Sequence, residues 1–319
     1  IVHEMITIED INAAHLSIAP YIHKTPVLTS ESINQITGAN IYFKCENFQK
    51  IGAFKMRGAM NAALNLPNEL LQKGIATHSS GNHAQAVARA ASILGVPAYI
   101  VMPENAPAIK KAATKGYGGI ITFCEPTVEA RETTLEKIME RTGATMIHPF
   151  NDVHVITGQG TTAKELYEQL PTNAILDYLL APIGGGGLMS GTAIYSKLQS
   201  PSTQVIGAEP QKVDDAKRSL QTGKIEHNAT TDTIADGLKT DLGPLTFQFL
   251  QQYLDDILTV SEKSIVEAMR LIWERMKIII EPSCAVPLAA VLNNPEVFKQ
   301  KNVGIILTGG NVDIGNLPF

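Results

Sequence analysis

The stretch Tyr178-Leu179-Leu180-Ala181-Pro182-Ile183-Gly184-Gly185-Gly186-Gly187-Leu188 decides the fold. Its first six residues form an uninterrupted apolar run, as expected of a strand covered on both faces, and four glycines follow without a break. Leu188–Leu198 then reads as a helix. A strand that turns into a helix through residues lacking Cβ lets a ligand approach the backbone closely. The N–H groups at such a helix start form an anion cradle. The run fits neither G-x-G-x-x-G nor the P-loop pattern, since no Gly-Lys-Ser/Thr follows it. A flexible turn is the plain alternative. A strand-to-helix turn rarely needs four glycines, so phosphate binding is the favoured reading.

The same alternation continues on both sides of this stretch. Strands are expected at Ile41–Lys44, Ile75–His78, Ala98–Met102, Gly119–Cys124, Tyr178–Ile183, Gln204–Glu209 and Val303–Thr308. These runs are rich in Ile, Val, Tyr and Phe and end at Gly, Pro or Ser. Helices are expected at Ala84–Leu94, Val128–Arg141, Thr161–Gln169 and Ile265–Met276. In the last, Ile265, Met269, Ile272, Trp273 and Met276 recur at helical spacing, most simply as core packing. Alternating β and α elements define an α/β chain with mostly parallel sheets. The breaks Leu66-Pro67-Asn68 and His148-Pro149-Phe150-Asn151 bracket a complete small α/β unit. The expected organisation is a small domain over 73–148, inserted into a large domain made of 1–72 and 149–319.

The 319 residues suffice for about two domains of roughly 150 residues each. Hydrophobic residues make up 44% and charged residues 18%, which excludes a disordered chain. The net charge of −5 offers no electrostatic footprint for a nucleic acid polymer. No apolar run approaches the length of a membrane span, and Ile1–Asp10 lacks a signal-peptide pattern. Cys45, Cys124 and Cys284 are few, odd in number and widely spaced, making neither a disulfide framework nor a zinc site. The expected compartment is the reducing cytoplasm.

Two further motifs carry chemistry. In Gly52-Ala53-Phe54-Lys55-Met56-Arg57-Gly58, Lys55 sits between two apolar side chains. Burial disfavours its ammonium and makes the amine a usable nucleophile or Schiff-base former. On the residues alone, a surface lysine between two core residues is the stronger reading. Ser79-Ser80-Gly81-Asn82-His83 follows one expected strand and precedes one expected helix. It suits an N-cap and a cluster of exposed N–H groups where a carboxylate is favoured. Capping alone, with His83 a satisfied core histidine, is an equal alternative.

Together the three motifs ask for a phosphate, a carbonyl-reactive carbon and a carboxylate partner, which describes pyridoxal phosphate with an amino acid. Over nearly all of its length, the chain resembles the fold-type II pyridoxal-phosphate enzymes, tryptophan synthase β-like, that include serine racemases and serine/threonine dehydratases. Ala53 is a departure, since many members have Ser there. The resemblance implies that Lys55 carries the cofactor as a Schiff base, with Phe54 packed beside the ring. It implies that Asn82 bonds the ring hydroxyl and that Gly184, Gly185, Gly186, Gly187 and the Leu188 N–H hold the phosphate. Thr308, in Leu307-Thr308-Gly309-Gly310-Asn311, would face the pyridine nitrogen. Ser79, Ser80, Asn82 and His83 would take the substrate carboxylate, with Arg131 closing over it. A neutral Thr308 hydroxyl does not force the ring nitrogen to stay protonated, so the carbanion is less delocalised.

Two features separate racemase from dehydratase within that family. Dehydratases resembling this chain usually carry Ala where it has Ser80, and racemisation needs an acid or base on each face of Cα, here Lys55 and Ser80. The segment from Ala208 to Asp215 resembles the divalent-cation loop of serine racemases. Glu209, Asp215 and the Val213 carbonyl would hold Mg²⁺, or Ca²⁺ or Mn²⁺, with hard oxygen ligands. Without the resemblance these are surface carboxylates. Animal serine racemases also bind a nucleotide at their dimer interface, and the matching positions are Tyr117, Arg275, Lys277 and Asn311, with ATP as effector. The expectation is a cytoplasmic homodimer that interconverts L- and D-serine and eliminates serine to pyruvate and ammonia. The alternative is a catabolic L-serine/L-threonine dehydratase with minor racemisation.

Overall fold

The computed structural model describes residues 5–319. The strands, in chain order, are β1 Val27–Leu28, β2 Asn40–Cys45, β3 Ile75–His78, β4 Ala98–Pro103, β5 Gly119–Cys124, β6 Thr145–Met146, β7 Tyr178–Pro182, β8 Gln204–Pro210, β9 Asp256–Val260 and β10 Asn302–Leu307. They form a six-stranded sheet, β1-β2-β10-β7-β8-β9, and a four-stranded sheet, β5-β4-β3-β6. Among the strands of the described residues only β1 runs antiparallel to its neighbour; the other strand pairings are parallel.

The apolar runs are two-faced for a physical reason. In the large sheet, Ile41, Phe43, Leu180, Ile206 and Ile305 face the helices Glu262–Met276 and Pro282–Asn293. Leu179, Ala181, Val205 and Ile306 face the helices Val153–Gln169 and Gly187–Gln199 on the other side. Each strand is sandwiched, so each reads as continuous rather than alternating hydrophobicity. In the small sheet Ile75, Ala98 and Ile100 pack towards the helices Lys55–Leu64 and Asn82–Leu94, while Ala76 and Val101 cover Leu135 and Ile138 of the helix Val128–Thr142.

Both sheets have a topological switch point. In the large sheet β7, β8 and β9 run one way from β7, while β10 lies on its other side. In the small sheet β3, β4 and β5 run one way from β3, while β6 lies on its other side. Ligands of open parallel sheets bind at the carboxyl ends of strands where the order reverses. The glycine run follows β7, Thr308 follows β10, Ser79–His83 follows β3 and His148 follows β6. The expected motifs therefore converge on two crevices.

The helix Lys55–Leu64 is pinned by charge. Arg57, fully buried, donates through Nε and Nη2 to Glu46, through Nη1 to Thr161 Oγ1 and through both terminal nitrogens to Glu165. Lys44 Nζ donates to the same Glu165 at 2.7 Å, to the Thr25 carbonyl and to Gln169. Two cations thus meet two carboxylates, with the remaining polar atoms satisfied, which is what burial of charge requires.

Candidate active site

The two crevices face one another and are tied together by hydrogen bonds. Asn82, at the start of the helix Asn82–Leu94, donates from Nδ2 to Glu281 Oε1 at 3.0 Å. Its Oδ1 accepts from Asn311 Nδ2 at 2.8 Å, and that nitrogen also donates to the Ile51 carbonyl at 2.7 Å. The Asn311 N–H donates to Glu281 Oε2 at 3.0 Å. Asn82 is thereby fixed in one amide orientation, with its N–H side towards Glu281.

Lys55 Nζ donates to the Pro149 carbonyl at 2.7 Å and lies 5.3 Å from the centre of the Phe54 ring. Burial pushes its amine down to about 8, so about a tenth of it is uncharged at pH 7. The Phe54 N–H donates to the Thr308 carbonyl at 3.0 Å, and Ala53 bridges Gly309. The lysine motif and the end of β10 are thus stitched backbone to backbone. Thr308 is buried.

The glycine run does not do quite what its sequence suggests. The space its missing Cβ atoms leave is filled by protein. A Cβ on Gly185 would stand 2.2 Å from the Phe150 ring, and one on Gly187 would stand 3.0 Å from the Phe150 backbone. One on Gly184 would meet the Gly237 carbonyl at 2.8 Å, and Gly186, at φ +89°, would press on Leu242 and Thr246. The glycines are required by neighbouring chain, not by a ligand on their Cβ side. Their N–H groups remain available: no turn or loop bond uses those of Gly184 to Leu188, and the helix Gly187–Gln199 leaves its first N–H groups without intrahelical acceptors. That is the cradle a phosphate fits.

Ser79 and Ser80 lie in the bend between β3 and the helix Asn82–Leu94, where Ser79 Oγ accepts from the Gly81 N–H at 3.2 Å. His83 is turned away: Nε2 donates to the Ile147 carbonyl at 2.8 Å, and Nδ1 is buried without a partner. Burial and the Lys55 charge hold its pKa well below the usual histidine range. Its ring is neutral and engaged, so what it leaves for a carboxylate is its backbone N–H in the first helical turn. Arg131 sits beside His78, whose pKa is lowered by burial and by that guanidinium against the pull of Glu132; Arg131 Nε is buried and unpartnered.

The remaining expected residues fall elsewhere. Glu209 accepts from the Ala216 and Lys217 N–H groups at 3.1 and 3.0 Å, and Asp215 accepts from Asn228 Nδ2 and the Leu242 N–H at 2.9 and 3.0 Å. Both acids and Val213 are buried, not on the surface as the residues alone imply. Burial and the neighbouring Asp215 push the Glu209 carboxyl well up; burial pushes Asp215 up to about 6. Among the described residues no three His, Cys, Asp or Glu side chains gather into a metal cluster. Tyr117 caps the helix Ala108–Gly116, which packs on β5 and the helix Asn82–Leu94; Arg275 and Lys277 end the helix Glu262–Met276, which packs on Pro282–Asn293 and Glu31–Thr37. Asn311 belongs to the Asn82–Glu281 network.

Sequence reasoning missed Glu281 and His148. Glu281 is buried with no cation on it, and its carboxyl is pushed up to about 8 by burial and then by Asp236. Its partners Asn82 and Asn311 are 199 and 30 positions away, so no local spacing announces it.

With this site in place, the chain belongs to the pyridoxal-phosphate dependent enzyme family, whose model matches residues 18–309. It is 50% identical over 313 residues to the beta-hydroxyaspartate dehydratase of Paracoccus denitrificans (strain Pd 1222), covering 98% of each chain. The crystal structure of serine racemase from Dictyostelium discoideum superposes with a TM-score of 0.92 at 49% identity, covering 97% of this chain and 99% of that one. The crystal structure of a T.th. threonine deaminase superposes with a TM-score of 0.93 at 44% identity, covering 97% and 99%. The expected fold and the expected pyridoxal phosphate are thus those of the family.

Proposed function

We propose that the chain is a serine racemase that also eliminates serine to pyruvate and ammonia. What supports this reading is that two groups able to carry a proton lie on separate segments bordering the cleft. Lys55, with its amine pushed down to about 8, starts a helix stitched to the end of β10, and Ser80 comes from the bend after β3. Lys55 would hold pyridoxal phosphate, with the phosphate on the N–H groups of Gly184 to Leu188, and once the substrate amine has replaced the lysine the cofactor would supply the electron sink that acidifies the Cα proton. Lys55 takes that proton on one face and Ser80 returns one on the other. If the β-hydroxyl leaves first, elimination follows. The N–H groups of Asn82 and His83, with Ser79, hold the α-carboxylate. Thr308 would offer the ring nitrogen a neutral hydroxyl, and Glu281 is largely protonated below about pH 8, so neither group would commit the nitrogen to a proton.

Ser80→Ala tests the assignment. D-Serine formation from L-serine should fall by about 10²-fold, the scale of a lost general acid, while pyruvate formation from L-serine persists. Near wild-type racemisation would reduce Ser80 to a cap, and the serine/threonine dehydratase reading would move ahead.

A second substrate is favoured by Arg131, whose buried Nε has no partner. A hydroxy amino acid with a second carboxylate on Cβ would place that anion beside it, and the Paracoccus denitrificans relative is a beta-hydroxyaspartate dehydratase. Arg131→Gln should then cost turnover of 3-hydroxyaspartate at least about tenfold more than turnover of L-serine, since it strips a charge-assisted bond from one substrate only. Equal losses would assign Arg131 to the α-carboxylate.

Residues 73–148 act as a small domain that closes on the rest of the chain. Glu209, Asp215 and the Val213 carbonyl hold Mg²⁺, or Ca²⁺ or Mn²⁺; two buried acids whose side chains accept only backbone or amide N–H groups fit a cation. The working assembly is a homodimer in the cytoplasm, where Tyr117, Arg275, Lys277 and Asn311 from facing subunits meet ATP as an effector.

A further inference from the structure

The turn His148-Pro149-Phe150-Asn151, after β6, touches both chemical motifs at once. His148 Nδ1 accepts from the Phe150 N–H at 3.1 Å and from the Asn151 N–H at 2.8 Å. Two donors on Nδ1 require its lone pair, so the ring proton sits on Nε2. Burial, with the Lys55 and His78 charges, keeps the imidazole neutral by holding its pKa down at about 4. The ring also packs edge-on against Phe150 at 4.7 Å. Pro149 has no N–H of its own, so the turn is closed by this side chain. With the next two N–H groups tied back to the imidazole, the Pro149 carbonyl points in a fixed direction, and it accepts from Lys55 Nζ at 2.7 Å. Phe150 meanwhile fills the Cβ space of Gly185 and Gly187.

We infer that His148 is a positioning residue for Lys55: its imidazole holds the turn that aims the Pro149 carbonyl at the lysine amine. This rests on Lys55 being the cofactor lysine and proton carrier. Whenever Nζ is free of the cofactor, one of its N–H bonds is pinned to Pro149 O. The lone pair of the neutral amine then has a set direction instead of sweeping the cleft. The same turn keeps the back of the glycine run packed, so the phosphate cradle and the lysine hold a constant separation.

Three variants separate positioning from bulk packing. In His148→Asn the amide Oδ1 takes the place of Nδ1 and can accept both N–H bonds. In His148→Gln the amide lies one carbon too far, and His148→Ala has no acceptor. Each is checked for folding by thermal melting, and His148→Ala stands in should the longer glutamine side chain not be accommodated. Two readouts are taken: kcat and KM with L-serine, and the rate at which cofactor-free protein recombines with pyridoxal phosphate as pH is varied. The second follows the Lys55 amine whether or not the chain racemises serine. A chain that makes neither D-serine nor pyruvate would therefore fail the functional reading without touching this one. His148→Asn should stay within about threefold of wild type in both. A capless variant should lose about 10- to 100-fold in kcat at little change in KM, the scale of a misplaced reacting group, and should recombine correspondingly slowly. Equal losses in His148→Asn and the capless variants, or wild-type kcat and recombination in a folded capless variant, would overturn the inference.

Discussion

At the scale of single residues, Glu281 makes the sharpest prediction. A carboxyl whose pKa rises from 4.5 to about 8 on folding keeps its proton in the folded chain across a window where the unfolded chain has lost it. Its contribution to stability is complete at low pH and drains away as the pH climbs through about 8. Glu281→Gln preserves the shape and removes the titration. In cofactor-free protein the wild-type melting temperature should therefore fall from about pH 5 to pH 8 more steeply than that of Glu281→Gln. Parallel curves would mean that Glu281 is ionised throughout. The glycine run stands out in the sequence by itself, whereas Lys55, Asn82 and Thr308 are picked out through the family resemblance of the short motifs that hold them. Glu281, Arg57 and His148 could not. Arg57 meets Glu165 across 108 positions and Lys55 meets Pro149 across 94, so their roles arise only when distant segments fold together.

Among the elements, the buried strands were legible because burial on both faces leaves an unbroken apolar run. β3 has the bounds its sequence suggests and β7 ends one residue early, at Pro182; β5 also keeps its bounds, though as an edge strand it leaves Ile120 and Phe123 exposed. β1 and β6, at two residues each, are too short to leave a pattern, and β9 begins with an exposed Asp256. The helix Lys55–Leu64 was invisible for the opposite reason: Met56 to Ala63 are all buried, so no polar face marks its period. The helix Val153–Gln169 was recognised only from Thr161, because Gly158 and Gly160 interrupt its first half. Those glycines admit a neighbour: a Cβ on Gly158 would stand 2.7 Å from the Arg57 carbonyl. Close approach of this kind also predicts which glycines matter. Gly185→Ala must displace the Phe150 ring and should cost about 1–3 kcal/mol together with cofactor affinity. Gly81→Ala, in the substrate bend, meets nothing within 4 Å and should change stability by no more than about 0.5 kcal/mol. Melting of both variants, with a cofactor titration, checks the pair; equal effects would contradict it.

For the whole molecule, the site is a product of two sheets whose switch points oppose one another. Neither sheet holds it alone: the glycine run and Thr308 follow strands of the large one, Ser79 to His83 and Arg131 belong to the small one, and Lys55 starts a helix that packs on the small sheet and is stitched to β10. Lys110 and Asp236 join the two sides as an ion pair. That pair is half exposed and adds little, on the order of 1 kcal/mol or less. A cation on Glu209 and Asp215, as proposed, should add more. A ligand bound only by the folded chain stabilises it by mass action, so chelation should lower the melting temperature and Mg²⁺ should restore it. Unchanged melting of metal-stripped protein would argue against a cation there.

The central claim is that the cleft works on both faces of Cα. The most direct measurement is incubation of the holoenzyme with L-serine in deuterated water, following D-serine and pyruvate together. The account predicts that both accumulate and that the D-serine carries deuterium at Cα, delivered from the Ser80 side. Pyruvate without D-serine, or D-serine with its original hydrogen still at Cα, would contradict it.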